Sequence, residues 1–309
     1  MILVLGSSAD SVYPRLMAGF RESKAAFAFI DEDHPENYEV RIEQPNRRKF
    51  LFRIIGNGCT GKRLIGGIFV RHAVARTLDP EHLMQMGRLQ SSLNQMLLSA
   101  SCPIINPPHN SYSNYSKPYQ LGLMVQAGFE VPRSLVTNIR EEALRFYELN
   151  SRSVIFKGAS NMMTLAKILK PKHFRRMSLL PNSPTLFQEY IAGVDYRVHV
   201  IADSVFVTRL VTKNEDYRRS AFIQNEEVIA EPARLPESTI QLCVDFTKQL
   251  GLVVSGIDFK QDSNGRLVAL ELNPFPQFTF YESRTGQPIT RSIIDHLSRN
   301  QTKDSNVYA

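Results

Sequence analysis

The chain has 309 residues, 43 % hydrophobic and 22 % charged, a composition that suits a folded globular protein and excludes collagen, coiled coil and wholesale disorder. Lys plus Arg (37) exceed Asp plus Glu (30) by seven, which suits phosphate-bearing partners without marking a nucleic-acid surface. The length predicts about two domains or one large lobed enzyme.

Met1-Ile2-Leu3-Val4-Leu5 is too short for a signal-peptide core, and no apolar run approaches the ~18 residues of a membrane span. Cys59, Cys102 and Cys243 show no paired spacing, which argues against a zinc site and a disulfide framework. A reducing, cytoplasmic setting is the expectation.

Residues 1–5 read as a buried strand, and Val12, Leu16 and Phe20 recur at helical spacing, so the chain opens as an α/β unit. Residues 49–55 and 67–70 read as further strands. Between them, Gly56-Asn57-Gly58-Cys59-Thr60-Gly61-Lys62-Arg63 matches GxGxxG and nearly matches a P-loop. Both motifs hold phosphate at a helix N-terminus, which the glycine-interrupted, β-branched residues 64–70 cannot supply; Asn57-Gly58 reads as a turn.

Asp79-Pro80-Glu81 opens a helix to about Ala100, with Leu83, Met86, Leu89, Leu93, Met96 and Leu97 as its apolar stripe. The Pro-, Asn- and Ser-rich residues 102–118 form a connector and a domain boundary. A short helix follows to Ala127, capped by Gly128, then an extended Val131-Pro132 segment, a helix at 141–149 and strands at 154–157, 186–191, 197–201 and 205–211. Residues 215–220 form a charged loop. Ser238 with Gln241 makes a capping box for a helix over 239–250 closed by Gly251, with Cys243 in its core face. The polar residues 301–309 are expected to fray.

Asn264-Gly265, set between alternating runs, is a strong hairpin signal. A two-residue turn there pairs Gln261 with Val268, Phe259 with Leu270 and Asp258 with Glu271. With a period of two, Ile257, Phe259, Leu270 and Leu272 share an apolar face, and Asp258, Glu271 and Asn273 share the other. Opposed carboxylates with Cβ atoms about 5 Å apart destabilise a hairpin unless a cation lies between them. A divalent metal with oxygen ligands, magnesium rather than zinc or calcium, answers that need. Pairing of both acids with nearby Arg or Lys is the alternative.

Asp258 and Glu271-Leu272-Asn273-Pro274 resemble the magnesium-binding acids and Glu-x-Asn of the ATP-grasp ligase superfamily. The resemblance implies an α/β fold with α+β lobes: a Rossmann-like pre-ATP-grasp domain over 1–105, a central subdomain over 106–185 and a C-terminal subdomain over 186–300 that clamp ATP, and a flexible tail over 301–309. It implies ATP and Mg2+ as cofactors, with Asp258, Glu271 and Asn273 holding the metal. Lys117, ahead of Ala127-Gly128-Phe129-Glu130-Val131-Pro132, and Lys157 resemble the two ATP-binding lysines. Leu186-Phe187-Gln188-Glu189-Tyr190-Ile191 resembles the hinge segment, where Gln188, Glu189, Tyr190 and Ile191 line adenine and an acid takes its amino group or the ribose. Asp195-Tyr196-Arg197 resembles the following Asp-x-Arg. Arg197, Arg209 and Arg218 stand where phosphate- or substrate-binding arginines are placed, with Arg219 an equal candidate beside Arg218.

Ile105-Asn106-Pro107-Pro108, Lys117-Pro118-Tyr119-Gln120-Leu121 and Thr285-Gly286-Gln287-Pro288-Ile289 are similar to ligases that cross-link graspetide (microviridin-type) peptides, and the ribosomal-protein glutamate-ligase type is a related resemblance. Graspetide ligases activate Asp or Glu side chains as acyl phosphates, which Ser, Thr or Lys attack. A peptide or protein substrate is implied, with a homodimer as a further expectation and no membrane or nucleic-acid partner.

The stretch Gly158-Ala159-Ser160-Asn161-Met162-Met163 after Lys157 is short and poor in glycine for a phosphate-covering loop, which motivates a second reading, a non-catalytic nucleotide-binding or scaffold protein. A third is a basic nucleic-acid-binding protein, using Arg47-Arg48-Lys49, Arg175-Arg176 and Arg218-Arg219, but no aromatic stacking ladder accompanies them. None of the seven histidines has metal-ligand spacing, and His199 reads as structural rather than as a base.

Overall fold

In the computed structural model, which describes residues 1–46, 49–56, 63–72, 74, 78–159, 166–211, 228–299 and 307–308, the first apolar run becomes β1 (Ile2–Gly6), covered on both faces. Ile2 and Val4 enter one core with α1 (Val12–Glu22), and Leu3 and Leu5 enter another with α2 (Pro80–Ser99). A strand that meets water on neither side is apolar throughout, as parallel strands are. Its sheet holds β2 (Phe27–Asp31), β5 (Gly67–Val70) and β6 (Ile104–Ile105) in the order β2-β1-β5-β6, all parallel. Asp79 caps α2, accepting from the N–H groups of Glu81 and His82, with Pro80 in the first turn.

β3 (Tyr38–Asn46) and β4 (Lys49–Gly56) pair antiparallel beside this sheet. Residues 57–62 lie outside the described residues, but 63–70 contain no helix, so neither phosphate motif has the N-terminus it needs. Part of the tail expected to fray is ordered: Val307–Tyr308 forms β16, parallel to β4, with Val307 buried and its carbonyl accepting from the Ile65 N–H at 2.9 Å. A two-residue strand carries no readable periodicity.

The central sheet is antiparallel, with β7 (Ser134–Thr137), β8 (Val154–Gly158), β9 (Lys167–Ile168) and β10 (Thr185–Glu189) in the order β7-β10-β8-β9. α4 (Arg140–Leu149) and the helical turns of Pro171–Asn182 cover one face through Ala143, Tyr147, Met177 and Leu180. The third sheet holds β11 (Val194–Ile201), β12 (Ser204–Val211), β13 (Ile229–Pro232), β14 (Val254–Gln261) and β15 (Leu267–Asn273) in the order β13-β12-β11-β14-β15. Its apolar face, with Val198, Val207, Ile257, Phe259 and Leu272, packs on α3 (Lys117–Ala127) and α5 (Glu237–Gln249). β10 begins at Thr185, and α3 packs on the third sheet.

α6 (Thr279–Thr285) and α7 (Ile289–Arg299) join α1 and the first sheet in one core with Ile201, Leu210 and Val254. α1 and α7 approach closely at Gly19, where a Cβ would lie 2.6 Å from the Ile294 side chain. Gly128 caps α3 at φ +101°. The capping box at Ser238 is not formed: α5 begins at Glu237 after Pro236, which leaves Ser238 inside the first turn. Cys243 is a core residue, its thiol pushed up to about 12 by burial.

The β14–β15 hairpin differs from its expected register. Asp262 N–H donates to the Arg266 carbonyl and Gly265 N–H to the Asp262 carbonyl, so the loop has three residues, with Gly265 left-handed at φ +82°. Near the turn the pairing is shifted by one: Gln261 faces Leu267 and Phe259 faces Ala269. A β-bulge at Leu270 absorbs the extra residue, and Asp258 still opposes Glu271. Ala269 therefore completes the apolar face in place of Leu270, which turns to the cleft beside Glu271.

Candidate functional site

Cross-strand neighbours share a face, so the registers Asp195↔Lys260, Arg197↔Asp258, His199↔Gly256 and Asp258↔Glu271 put all of these residues on the polar face of the third sheet. This face looks across a cleft at Ile155, Lys157, Ile168 and Gln188 of the central sheet, with Glu189, Tyr190 and Ile191 forming the wall between them. Gln188 and Asp195, seven residues apart in sequence, both line this cleft.

The acids opposed across β14 and β15 are each met by a cation of the chain. Arg197 Nη1 lies 2.8 Å from Asp258 Oδ1, both side chains 5 % exposed, and Lys117 Nζ lies 3.4 Å from Glu271 Oε2. Lys260 Nζ holds Asp195 at 2.9 Å. Ion pairing, the alternative the sequence left open, is thus present, and it lies beside the cleft rather than away from it. Asn273 Oδ1 accepts from the Phe275 N–H at 2.9 Å. Among the described residues, no group of three or more His, Cys, Asp and Glu side chains is gathered so as to hold a metal ion.

Arg197 has a built seat. A Cβ at Gly256 would lie 2.4 Å from its Nη2, so the strand leaves that side chain out. The guanidinium carbon stands 5.7 Å from the Tyr281 ring centre, and Nε lies 3.5 Å from His199 Nε2. His199 is fully buried; burial first, then the Arg197 charge, push its imidazole well below the ordinary range. It is therefore neutral in the folded state. Unfolded histidine titrates at about 6.5. The unfolded chain thus binds the extra proton, and stability falls as pH drops below about 6.5. His199→Gln is expected to flatten this acid-side loss in melting curves between about pH 5 and 7.5, and an unchanged slope would assign the loss elsewhere. His72 runs the other way. Burial pulls it down, but Glu32, hydrogen-bonded at 2.6 Å, raises it overall, so its contribution is present in acid and fades as pH rises.

Of the other residues singled out in the sequence, Lys157 and Gln188 are buried and line the cleft, Gln188 donating to Ser134 Oγ at 3.0 Å. Glu189 sits at the cleft wall. Burial alone would raise its carboxyl, but hydrogen bonds from the side chain and backbone of Arg133, with the charges of Arg133 and Arg266, hold it below the usual range.

Arg209 stands apart from this cluster. It opposes Tyr196, not Arg197, so it lies on the apolar-facing side of the sheet and pairs with Glu231 at 3.4 Å. One step along a strand reverses the face. Arg209→Ala is accordingly expected to change turnover by less than about threefold; a larger loss in a steady-state assay would place its guanidinium in the site. Arg218 and Arg219 lie outside the described residues, as do residues 160–165 of the loop after Lys157.

The sequence reading missed three positioning contacts. Gln120 of α3 binds the edge of β15, accepting from Leu272 N–H at 2.9 Å and donating to its carbonyl at 2.8 Å, directly beside Glu271. Lys260 lines the cleft with Asp195. Arg71 ties β5 to the end of β15, pairing with Asp10 at 2.7 Å and donating to the Phe275 carbonyl. Only Lys260, two residues from Asp258 on the same face, was signalled by alternation.

A RimK-like ATP-grasp domain is matched over residues 115–297. A probable alpha-L-glutamate ligase of Pasteurella multocida is 27 % identical over 308 residues, covering 95 % of this chain and 94 % of that protein. One from Haemophilus influenzae is 28 % identical over 189 residues, 58 % of this chain and 61 % of that protein's length. Among solved structures, the ATP-grasp ligase PsnB complexed with a phosphomimetic variant of minimal precursor, Mg and ADP superposes with TM-score 0.80 at 26 % identity, covering 97 % of this chain and 98 % of that one. A Chryseobacterium gregarium RiPP-associated ATP-grasp ligase in complex with ADP and a leader and core peptide shares the fold, with TM-score 0.82 at 18 % identity and 97 % coverage of each chain. With the domain match spanning more than half of its length and the predicted α/β architecture in place, the chain belongs to the RimK-like ATP-grasp family.

Proposed function

We propose that the protein is an ATP- and magnesium-dependent ligase that activates a carboxylate of a peptide or protein and joins it to an amine or hydroxyl. The observation that carries this reading is the opposition of Asp258 and Glu271 on one sheet face, ringed by Arg197, Lys117 and Lys157, beside a cleft walled by residues 188–191.

The donor set fits the cofactors. Asp258, Glu271 and Asn273 offer oxygen ligands alone, which suits magnesium. Lys117, Lys157 and Arg197 offer cations for phosphate oxygens, the backbone of 188–191 offers an edge for adenine, and Asp195 or Glu189 an acceptor for its amino group or the ribose. Magnesium, when bound, draws charge from the phosphate oxygens and orients them. In the first step a substrate carboxylate takes the γ-phosphoryl group of ATP, giving an acyl phosphate and ADP. In the second, an amine or hydroxyl attacks the acyl carbon, loses its proton and releases phosphate. Both steps bring negative oxygens together, so the protein's work is positioning and charge neutralisation. Arg197, planar and held by Asp258, is suited to the transferring group.

Two observations support a peptide substrate. Solved relatives are complexed with precursor peptides. The chain's charge excess is also concentrated: residues 149–188 hold seven Lys and Arg (Arg152, Lys157, Lys167, Lys170, Lys172, Arg175, Arg176) and no Asp or Glu, while the rest of the chain balances thirty of each. Such a basic segment attracts acidic ones.

The test is incubation of purified protein with ATP, magnesium and acidic peptides carrying Thr, Ser or Lys, read by ADP release and mass spectrometry. Loss of one water per ring is the expected product, and peptide binding should weaken as salt rises. Stepwise gain of glutamyl residues would favour the second reading, glutamate ligation, which the names of the curated relatives support. ATP binding without ADP release would indicate a scaffold, and absence of any ATP-dependent thermal shift would overturn the nucleotide reading.

A further inference from the structure

At the carboxyl end of the first sheet stands a guanidinium with one edge unfilled. The order β2-β1-β5-β6 reverses direction between β1 and β5: α1 leads from β1 to β2 on one side, α2 leads from β5 to β6 on the other, and the two helices cover opposite faces. In open parallel sheets, ligands bind in the crevice outside the carboxyl ends of the strands at such a reversal. Arg71 follows β5 at this point, its N–H donating to the Leu5 carbonyl at 3.1 Å. Alternation places it with Phe69 on the α1 face, towards the lobe built on the third sheet, and places His72 on the α2 face with Glu32 and Asn94.

Two contacts hold the guanidinium without saturating it. Nε donates to Asp10 Oδ2 at 2.7 Å, and Nη1 donates to the carbonyl of Phe275, two residues beyond Asn273. Asp10 gives Arg71 that one oxygen only, because its Oδ1 accepts from the Val12 N–H at 3.0 Å. No described residue accepts from Nη2, and the side chain is 21 % exposed. A guanidinium carries five N–H groups in one plane, so the edge made by Nη1 and Nη2 is left for a planar group with two acceptor oxygens.

We propose that Arg71 receives the substrate's carboxylate, holding it end-on in the crevice beside the Asn273-Pro274 corner. The inference rests on the ligase reading and deepens it: the group to be activated is seated by the N-terminal sheet, at the end of the hairpin that carries Asp258 and Glu271. Its plane is set in advance by Asp10 and the Phe275 carbonyl, so little ordering remains to be done when the substrate arrives. The local charge favours a singly charged ligand. Arg71 and Asp10 together are neutral, and Asp31 and Asp33, at the end of β2, stand two strand spacings from β5, about 10 Å away. That is about one Debye length at physiological salt, enough to penalise a dianion more than a carboxylate.

The test follows phenylglyoxal modification of Arg71 by mass spectrometry in the full-length protein, with acetyl-tetraglutamate, acetyl-tetraglutamine or inorganic phosphate as the probe. Arg291 on α7, with a 64 % exposed side chain, is the internal control. Millimolar tetraglutamate is expected to slow the modification of Arg71 about fivefold and to leave Arg291 unaffected. Tetraglutamine should protect neither residue, and phosphate should protect Arg71 less than tetraglutamate does. In an ADP-release assay, Arg71→Lys, which keeps the charge and loses the fork, should raise KM for the carboxylate substrate about tenfold while KM for ATP stays within about twofold. The protection experiment on wild type stands even where that variant melts early.

If Arg71 resists phenylglyoxal in the free protein, reacts equally with and without tetraglutamate, or can be replaced by lysine with KM unchanged, it is only a tie between β5 and the Asn273-Pro274 corner, and the assignment is overturned. Equal protection by phosphate would overturn the preference for carboxylate. Protection requires neither ATP nor turnover, so a protein that releases no ADP but is protected at Arg71 keeps the carboxylate seat and loses the ligase reading alone.

Discussion

Glu271→Gln is expected to lower ATP turnover about a thousandfold while moving the melting temperature by no more than a few degrees. The substitution keeps the shape of the side chain and removes one negative charge from the opposed pair. Loss of a metal ligand removes several kcal/mol of charge stabilisation from the transition state, and about 4 kcal/mol corresponds to a thousandfold in rate. The fold loses little, because the pair to Lys117 is 3.4 Å long and partly exposed, a class of interaction contributing about 0–1 kcal/mol. Asp258→Asn is the less informative change. It leaves the buried Arg197 guanidinium without its carboxylate, at a cost of about 3–5 kcal/mol, so lost activity and lost structure would be confounded. A magnesium-dependent ADP-release assay beside a melting curve separates the two for Glu271; turnover within tenfold of wild type would remove Glu271 from the metal site.

Asn106→Ala carries the largest expected effect on stability. The Asn106 Oδ1 accepts from Val253 N–H at 2.9 Å and Val254 N–H at 3.0 Å, while Nδ2 donates to the carbonyls of Val254 and Pro274. One amide thus satisfies four backbone groups at the start of β14 and just beyond the end of β15, beside Asn273. At about 1 kcal/mol per buried hydrogen bond, truncation costs about 4 kcal/mol, which for a chain of this size lowers the melting temperature by roughly 10 °C. A fall under about 3 °C would show that other contacts hold these strand ends. Because the same amide anchors the Asn273-Pro274 corner, metal affinity should weaken in parallel.

Several residues that line the candidate cleft were legible in order along the chain. Asp258 and Glu271 were correctly opposed, although the reasoning used the wrong turn: a two-residue loop and a regular ladder give the same pairing as a three-residue loop with a bulge at Leu270. Two errors of one residue cancelled at the acids and left Leu270 on the wrong face. Arg209 was named from the family resemblance alone, without a register, and the strand pairing puts it on the other side of the sheet from Arg197. α7 went unread, although Ile289, Ile293, Ile294 and Leu297 carry a helical period. Short strands such as β6 and β16 offered too few residues to show any period at all.

By itself the sequence determined what is local or periodic: the apolar strand at the N-terminus, the caps at Asp79 and Gly128, the order of the lysines and acids, and with it the superfamily. Such features depend on a few neighbouring dihedrals and on alternation every two or 3.6 residues, so a linear reading contains them. Only the tertiary structure decided which cation holds which acid, that Gln120 and Asn106 clamp strands about 150 residues away, and which face each arginine occupies. Those outcomes are set by register and by contacts between distant segments, where a shift of one residue exchanges buried for exposed and no local preference records the choice.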